Sequence, residues 1–343
     1  MSAREFETPD GKPPLIAAVG MGRMGRGIAL TFAYAGLPVV LVDLKERPWG
    51  AFETLRADAQ KEIRQTLSML AGFGLLENAA IDTVMARIRY SSLDVAAAAG
   101  GGLADADVVF EGVPETLDAK ESALKLISGI VAESAIVTST TSTILSTELQ
   151  GFVHRPERFL NAHWLNPAYL VPLVELSPGE KTDPSVIAEL KSLLESIGKV
   201  PVVCKASPGY IVPRIQALAM NEAARMVEEG VASAEDIDKA TRYGFGFRFA
   251  VLGLLEFIDW GGGDILYHAS RYMVNATGEQ RHASPDIIAD NMREGRTGLR
   301  AREGFMDYAD MDVEVYQKER LAAFVAMLRH IDKLPVSAER QDG

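Results

Sequence analysis

The run Gly20-Met21-Gly22-Arg23-Met24-Gly25 follows a β-branched apolar stretch at residues 15–19 and leads at once into a helix-compatible one. Each glycine answers a separate steric demand. Gly20 permits a tight turn, Gly22 lets the backbone approach a pyrophosphate, and Gly25 lets the helix pack closely on a sheet, with the helix N-terminus facing the phosphates. Met21, Arg23 and Met24 complete the same phosphate-facing segment. Alone, three glycines at this spacing are weak evidence, and a ligand-free glycine turn is the plain alternative. Here the motif lies between a predicted strand and a predicted helix, and Asp43 closes the next predicted strand 18 residues after Gly25, where an acidic ribose ligand belongs. Asp43 would accept hydrogen bonds from adenosine ribose hydroxyls and repel a 2′-phosphate, which points to NAD. Lys45 and Arg47 stand close enough to keep NADP as the alternative.

Short apolar runs alternate with amphipathic stretches over the first two-thirds of the chain, the pattern of strand-helix-strand units on a parallel sheet. Strands are expected at residues 15–19, 39–42, 108–110, 136–139, 159–163 and 200–203, and helices at 25–35, 51–71, 117–131 and 184–197. After Lys205 the texture turns helical, with segments at 211–229, 234–243 and 313–331. The fold class is therefore α/β: a Rossmann-type, doubly wound, mainly parallel sheet domain at 15–205, followed by an all-α C-terminal domain at 206–343. Residues 1–14 read as a disordered leader, and the low-complexity stretch 93–103 as a surface helix and loop.

Two domains also suit the length, since 343 residues exceed one ordinary core. With 48% hydrophobic and 24% charged residues and no apolar stretch long enough to span a bilayer, a membrane protein is not expected. The polar N-terminal segment lacks the apolar core of a secretory signal, so a cytoplasmic location is expected. A net charge of −12 without a Lys/Arg block argues against nucleic acid as a partner. The sole cysteine, Cys204, lies in an apolar run and reads as a buried, inert thiol. No metal-ligand cluster is read from the sequence.

His163 stands at a predicted strand end with Glu175 12 residues on. Oxidising a secondary alcohol needs a group that takes the hydroxyl proton as hydride leaves, and an imidazole that titrates near neutral pH suits that work. A carboxylate on its other ring nitrogen would fix the tautomer and stabilise the imidazolium. A purely structural histidine is the competing reading at this point.

Six motifs taken together decide between them: GMGRMG at 20–25, EGVPETLDAK at 111–120, STTST at 139–143, HWLNPAYLVPLVEL at 163–176, SPGYIVPR at 207–214 and NEAARMVEEGVAS at 221–233. Over residues 15–308 the chain resembles the 3-hydroxyacyl-CoA dehydrogenase family, which includes L-gulonate 3-dehydrogenase of the lambda-crystallin type and carnitine dehydrogenases. The resemblance implies that His163 and Glu175 form a catalytic pair and that Ser142 and Asn166 bind the reacting oxygens or the nicotinamide end. It further implies that Glu115 and Lys120 line the cofactor cleft, and that the protein pairs as a homodimer through its helical domain. Apolar stripes such as Ile215, Leu218, Ala219 and Met226 agree with that pairing. The sequence departs from the family at Pro213, where a polar residue, commonly Asn, is usual.

The substrate is expected to be a small 3-hydroxy acid or another free carboxylate. Residues 70–78, LAGFGLLEN, lack the lysines that acyl-CoA members offer to CoA phosphates; the nearest cations are Lys61 and Arg64. Arg248, in a block that looks like the gulonate and carnitine branch, could meet a carboxylate in a bidentate pair or serve only as an ion-pair residue. Trp164, Tyr169 and the aromatics of 245–249 could supply ring contacts or simply core. The alternatives are (S)-3-hydroxybutyryl-CoA as substrate and, from a different class, an NAD-binding structural protein with little turnover. A short-chain dehydrogenase is excluded, since no Tyr-x-x-x-Lys pair is present.

Overall fold

The run Ile16–Val19, every residue fully buried, forms an interior strand, third from one edge, of an eight-stranded sheet in a computed structural model that describes residues 11–336. The first ten positions of the expected leader lie outside the described residues. The strands are β1 (Ile16–Val19), β2 (Val39–Asp43), β3 (Ile88–Ser92), β4 (Val108–Glu111), β5 (Ile136–Ser139), β6 (Phe159–Trp164), β7 (Leu173–Pro178) and β8 (Val200–Val203), in the order β3-β2-β1-β4-β5-β6-β7-β8. β1 to β6 are parallel, β7 runs antiparallel to β6, and β8 is parallel to β7. The chain order reverses at β1, so β1 and β4 diverge to opposite halves of the sheet. Such a switch point leaves a crevice at the strands' carboxyl ends.

Burial on both faces explains why the central strands read as continuous apolar runs. One face packs on the helix Arg23–Tyr34, whose Ile28 and Phe32 are fully buried, and Phe32, Phe110 and Trp164 meet there with ring centroids 5.2 to 5.8 Å apart. The other face packs on Leu124 and Ile127 of the helix Leu117–Ile130. Trp164 is thus core. The stretch 93–103 forms the short helix Leu93–Ala96 and a loop, with Asp94, Val95 and residues 98–100 exposed and Ala96 and Leu103 anchoring it in the core.

The chain divides into two compact units between Met220 and Asn221. The expected boundary near Lys205 falls earlier because the segment after β8 is still bonded into the first unit: Ile211 and Val212 donate their amides to Glu175. In the second unit the helices are Ala234–Ala240, Leu254–Gly261, Gly263–Thr277, Asp286–Arg293 and Val313–His330, with shorter turns between them. There the buried Asp259 accepts the amides of Phe305 and Met306, each at 2.9 Å, and the Tyr308 hydroxyl at 3.1 Å. The expected helix over 234–243 gives way to a π-helical turn, Thr241–Gly246. Among the described residues, no helix is long and apolar enough to cross a membrane.

Candidate active site

Gly20, at the carboxyl end of β1, adopts φ +102°, and a Cβ there would lie 2.8 Å from the carbonyl oxygen of Gly112, just past β4. A Cβ on Gly25 would lie 1.8 Å from the Gly20 oxygen, so that position holds the helix Arg23–Tyr34 against the turn. Gly22 differs: a Cβ would meet nothing within 4 Å. Its backbone faces open space at the helix start, which is the approach a pyrophosphate needs, and the turn therefore fits a dinucleotide. Asp43 ends β2, nearly buried, where it accepts Nε of Arg47 at 2.6 Å and the amide of Lys45 at 3.3 Å. Arg47 is thereby tied to the carboxylate that would take the ribose. Met21 is buried, while Arg23 and Met24 open the helix.

Beyond β4 the wall of the crevice is ionic. Lys120 lies 1% exposed with its Nζ 3.0 Å from Glu111 and 3.5 Å from Glu115. Glu111, fully buried at the end of β4, also accepts the Val113 amide at 2.6 Å and the Ser139 hydroxyl at 2.7 Å. Glu115 gathers the 139–143 loop around one oxygen, accepting the Ser142 amide at 2.8 Å, the Thr143 amide at 3.1 Å, the Thr143 hydroxyl at 3.0 Å and the Thr141 hydroxyl. Burial acts to raise the Glu115 carboxyl. The hydrogen bonds of that loop and the Lys120 charge outweigh it and hold the group below the usual carboxylate range.

The loop so held carries Ser142 to His163. The antiparallel pairing of β6 and β7 sets His163 directly opposite Glu175, and both lie on the face away from Trp164 because strand side chains alternate. His163 Nδ1 is 2.7 Å from Glu175 Oε2, and His163 Nε2 is 3.2 Å from Ser142 Oγ. The other Glu175 oxygen accepts the amides of Ile211 at 2.9 Å and Val212 at 2.8 Å. Burial works to raise this carboxyl too, but the His163 hydrogen bond and the two amides keep it below its ordinary value. Tyr210, nearly buried, stacks obliquely on the imidazole at 5.7 Å and donates to the Ile144 carbonyl. Pro213 sits in the first turn of the helix Val212–Glu228, where a missing N–H costs nothing.

Asn166 is exposed on the loop between β6 and β7, beside the cis bond to Pro167, and lines a cavity of about 320 Å³ with Arg23, Arg26 and Tyr169. Lys199, buried, fastens that loop by donating to the carbonyls of Ala168 and Val171, with its ammonium 5.4 Å from the Trp164 ring centre. Arg248 lies in the second unit, exposed, with its guanidinium 5.6 Å from the Phe257 ring centre.

Sequence reasoning passed over Glu111, Asn161 and Lys199. Asn161, two residues before His163 on the same strand face, donates to the Thr141 carbonyl at 3.2 Å and so ties β6 to the serine loop. A polar residue at every second position of a strand that is otherwise apolar was the available signal.

Residues 15–207 match the family 3-hydroxyacyl-CoA dehydrogenase, NAD binding domain, and residues 209–308 match 3-hydroxyacyl-CoA dehydrogenase, C-terminal domain. A 5-formyl-3-hydroxy-2-methylpyridine 4-carboxylate 5-dehydrogenase from Mesorhizobium japonicum is 33% identical over 92% of this chain and 98% of its own length. A 3-hydroxybutyryl-CoA dehydrogenase from Clostridioides difficile is 28% identical over 85% of this chain and 99% of its own. The crystal structure of the Archaeoglobus fulgidus 3-hydroxyacyl-CoA dehydrogenase superposes with a TM-score of 0.73 at 28% identity, covering 94% of this chain and 100% of that one. Matched in order by both domains of one family, the chain belongs to the 3-hydroxyacyl-CoA dehydrogenase family and is an NAD-dependent dehydrogenase acting on a hydroxyl group.

Proposed function

We propose that this enzyme oxidises a CH–OH group on a small molecule that carries a free carboxylate, with His163 as the base. The observation that carries the reading is the line Ser142 Oγ, His163, Glu175, in which the imidazole has a carboxylate on Nδ1 and a hydroxyl on Nε2. Ser142 and Asn166 hold the reacting oxygen. His163 takes the hydroxyl proton on Nε2, and Glu175, deprotonated at neutral pH, stabilises the resulting imidazolium through Nδ1–H. The nicotinamide ring supplies the hydride acceptor. Gly20, Met21, Gly22, Arg23, Met24 and Gly25 hold the pyrophosphate, Asp43 takes the ribose, and Glu115, set by Lys120, keeps the serine loop in place.

The substrate class is supported by the sequence 70–78, which offers no cation to a CoA phosphate, and by Arg64, whose guanidinium is 2.7 Å from Asp82. The Mesorhizobium relative is named for a pyridine carboxylate. A second reading, 3-hydroxybutyryl-CoA, is supported by the name of the Clostridioides relative. Purified protein with NAD, followed by NADH absorbance over L-gulonate, carnitine, 3-hydroxybutyrate, pyridine carboxylates and 3-hydroxybutyryl-CoA, separates the two. Turnover of the thioester alone would sink the free-carboxylate reading.

A homodimer belongs to the same proposal. In the second unit Val231, Ile265, Tyr272 and Leu321 are each more than half exposed, more apolar surface than one small helical unit ordinarily leaves bare. Light scattering of the purified chain tests it.

A further inference from the structure

The cavity beside the nucleotide turn has a charge character of its own. The helix Arg23–Tyr34 turns Arg23, Arg26 and Gly27 toward it, the helix Trp49–Gly72 contributes Glu62 and Thr66, and the β6–β7 loop contributes Asn166 and Tyr169. At about 320 Å³ it lies at the small end of ligand pockets, suited to one ring or a short acid.

Two guanidiniums face one carboxylate there. Arg26, with a side chain 17% exposed, donates from Nη1 to Glu62, while its Nε is buried without any acceptor. Arg23 is exposed at the first helical position. An arginine fixed by one nitrogen presents the rest of a planar fork to a second acceptor, and partial burial strengthens that attraction. The cavity is thus locally cationic in a chain whose net charge is −12. Asn166, on its wall, is the residue given above to the reacting oxygen, and through it the cavity adjoins the place proposed for the substrate.

We infer that this cavity is the subsite for the substrate's free carboxylate, and that Arg26, steadied by Glu62, is the residue that selects it. The inference rests on the free-carboxylate reading given above. It moves the carboxylate-binding role from Arg248, which stacks on Phe257 in the second unit, to an arginine that shares a cavity with Asn166.

The test uses the full-length enzyme with NAD and acid–amide pairs: 3-hydroxybutyrate, L-gulonate and pyridine carboxylates, each beside its primary carboxamide. Arg26→Gln is expected to lose about 10- to 100-fold in kcat/KM on the acid, the usual worth of a hydrogen bond to a charged group. The loss should come through KM, with turnover of the amide and KM for NAD unchanged, and Arg26→Lys should recover part of it. Equal losses on acid and amide, or a raised KM for NAD, overturn the inference and leave the free-carboxylate function standing. If the wild type oxidises only 3-hydroxybutyryl-CoA, both fall together. Titration of NAD into Arg26→Gln shows that the variant is folded. Should it not be, Arg26→Lys, which keeps the charge but loses the bidentate fork, must still show a loss confined to KM on the acid, and an unchanged KM overturns the inference.

Discussion

His163 and Glu175 face each other across the antiparallel step between β6 and β7, with 2.7 Å between Nδ1 and Oε2. The pair is set by backbone register, so its chemistry can be altered without disturbing the fold. His163→Ala is expected to lower kcat by roughly 10²- to 10⁴-fold while NAD binding persists. An unchanged rate in His163→Ala would refute the mechanism.

Glu175→Gln keeps the shape of the pair and removes its charge. The Glu175 carboxyl is depressed in the folded chain, so its contribution to stability is complete above the ordinary carboxylate value and is lost as pH falls through the lower, folded one. Urea midpoints measured from neutral pH downward should fall less steeply in Glu175→Gln than in the wild type. Parallel curves would show that Glu175 is not the group responsible.

The glycine turn predicts opposite results for two neighbouring alanines. Gly25→Ala forces a Cβ to 1.8 Å from the Gly20 oxygen and should destabilise by about 1–3 kcal/mol or more. Gly22→Ala meets open space and should stay within about 0.5 kcal/mol of the wild type, yet lose NAD affinity because the methyl group stands where the pyrophosphate approaches. Thermal melts and NAD titrations of the two proteins test this; a Gly22→Ala protein with full affinity would contradict the phosphate assignment.

Asp43→Ser frees Arg47 from its carboxylate partner and removes the charge that opposes a 2′-phosphate. The ratio of kcat/KM for NAD to that for NADP should drop toward one. A wild type already favouring NADP would overturn the role given to Asp43.

Burial pushes Lys199 down to about 8. Between that value and the ordinary 10.5, the unfolded chain holds a proton that the folded chain has released, so this group makes stability rise with pH across the window. Lys199→Met should abolish that rise and, by leaving the Ala168 and Val171 carbonyls without their donor, cost about 1–3 kcal/mol at neutral pH. Urea midpoints at several pH values read both effects.

The six expected strands are present because each reads as an apolar run, five of them buried along their whole length and β8, at the sheet edge, exposing Val200 and Val203. The two that sequence did not show fail that condition in different ways. β3 lies at the sheet edge, where Arg89 is exposed and the apolar run never forms. β7 alternates Val174 and Leu176 on the core face with Glu175 and Ser177 on the polar one, which breaks the continuous apolar run. Ser142, His163 and Glu175, far apart in sequence, lie in one hydrogen-bonded line. The buried ionic knot of Glu111 and Lys120 could not be read, because which charged residue turns inward depends on partners that are adjacent only after folding.

The reversal of β7 also determines where the enzyme can be remade. Residues 165–172 form a bridge whose two ends are pinned by the Trp164–Val174 rung, and a strand ladder tolerates length changes in its connection far better than slippage along its own axis. Insertions placed in that bridge would reshape the wall bearing Asn166 and Tyr169 while leaving the proton-transfer apparatus in register, so new substrate preferences can arise there without new catalysts.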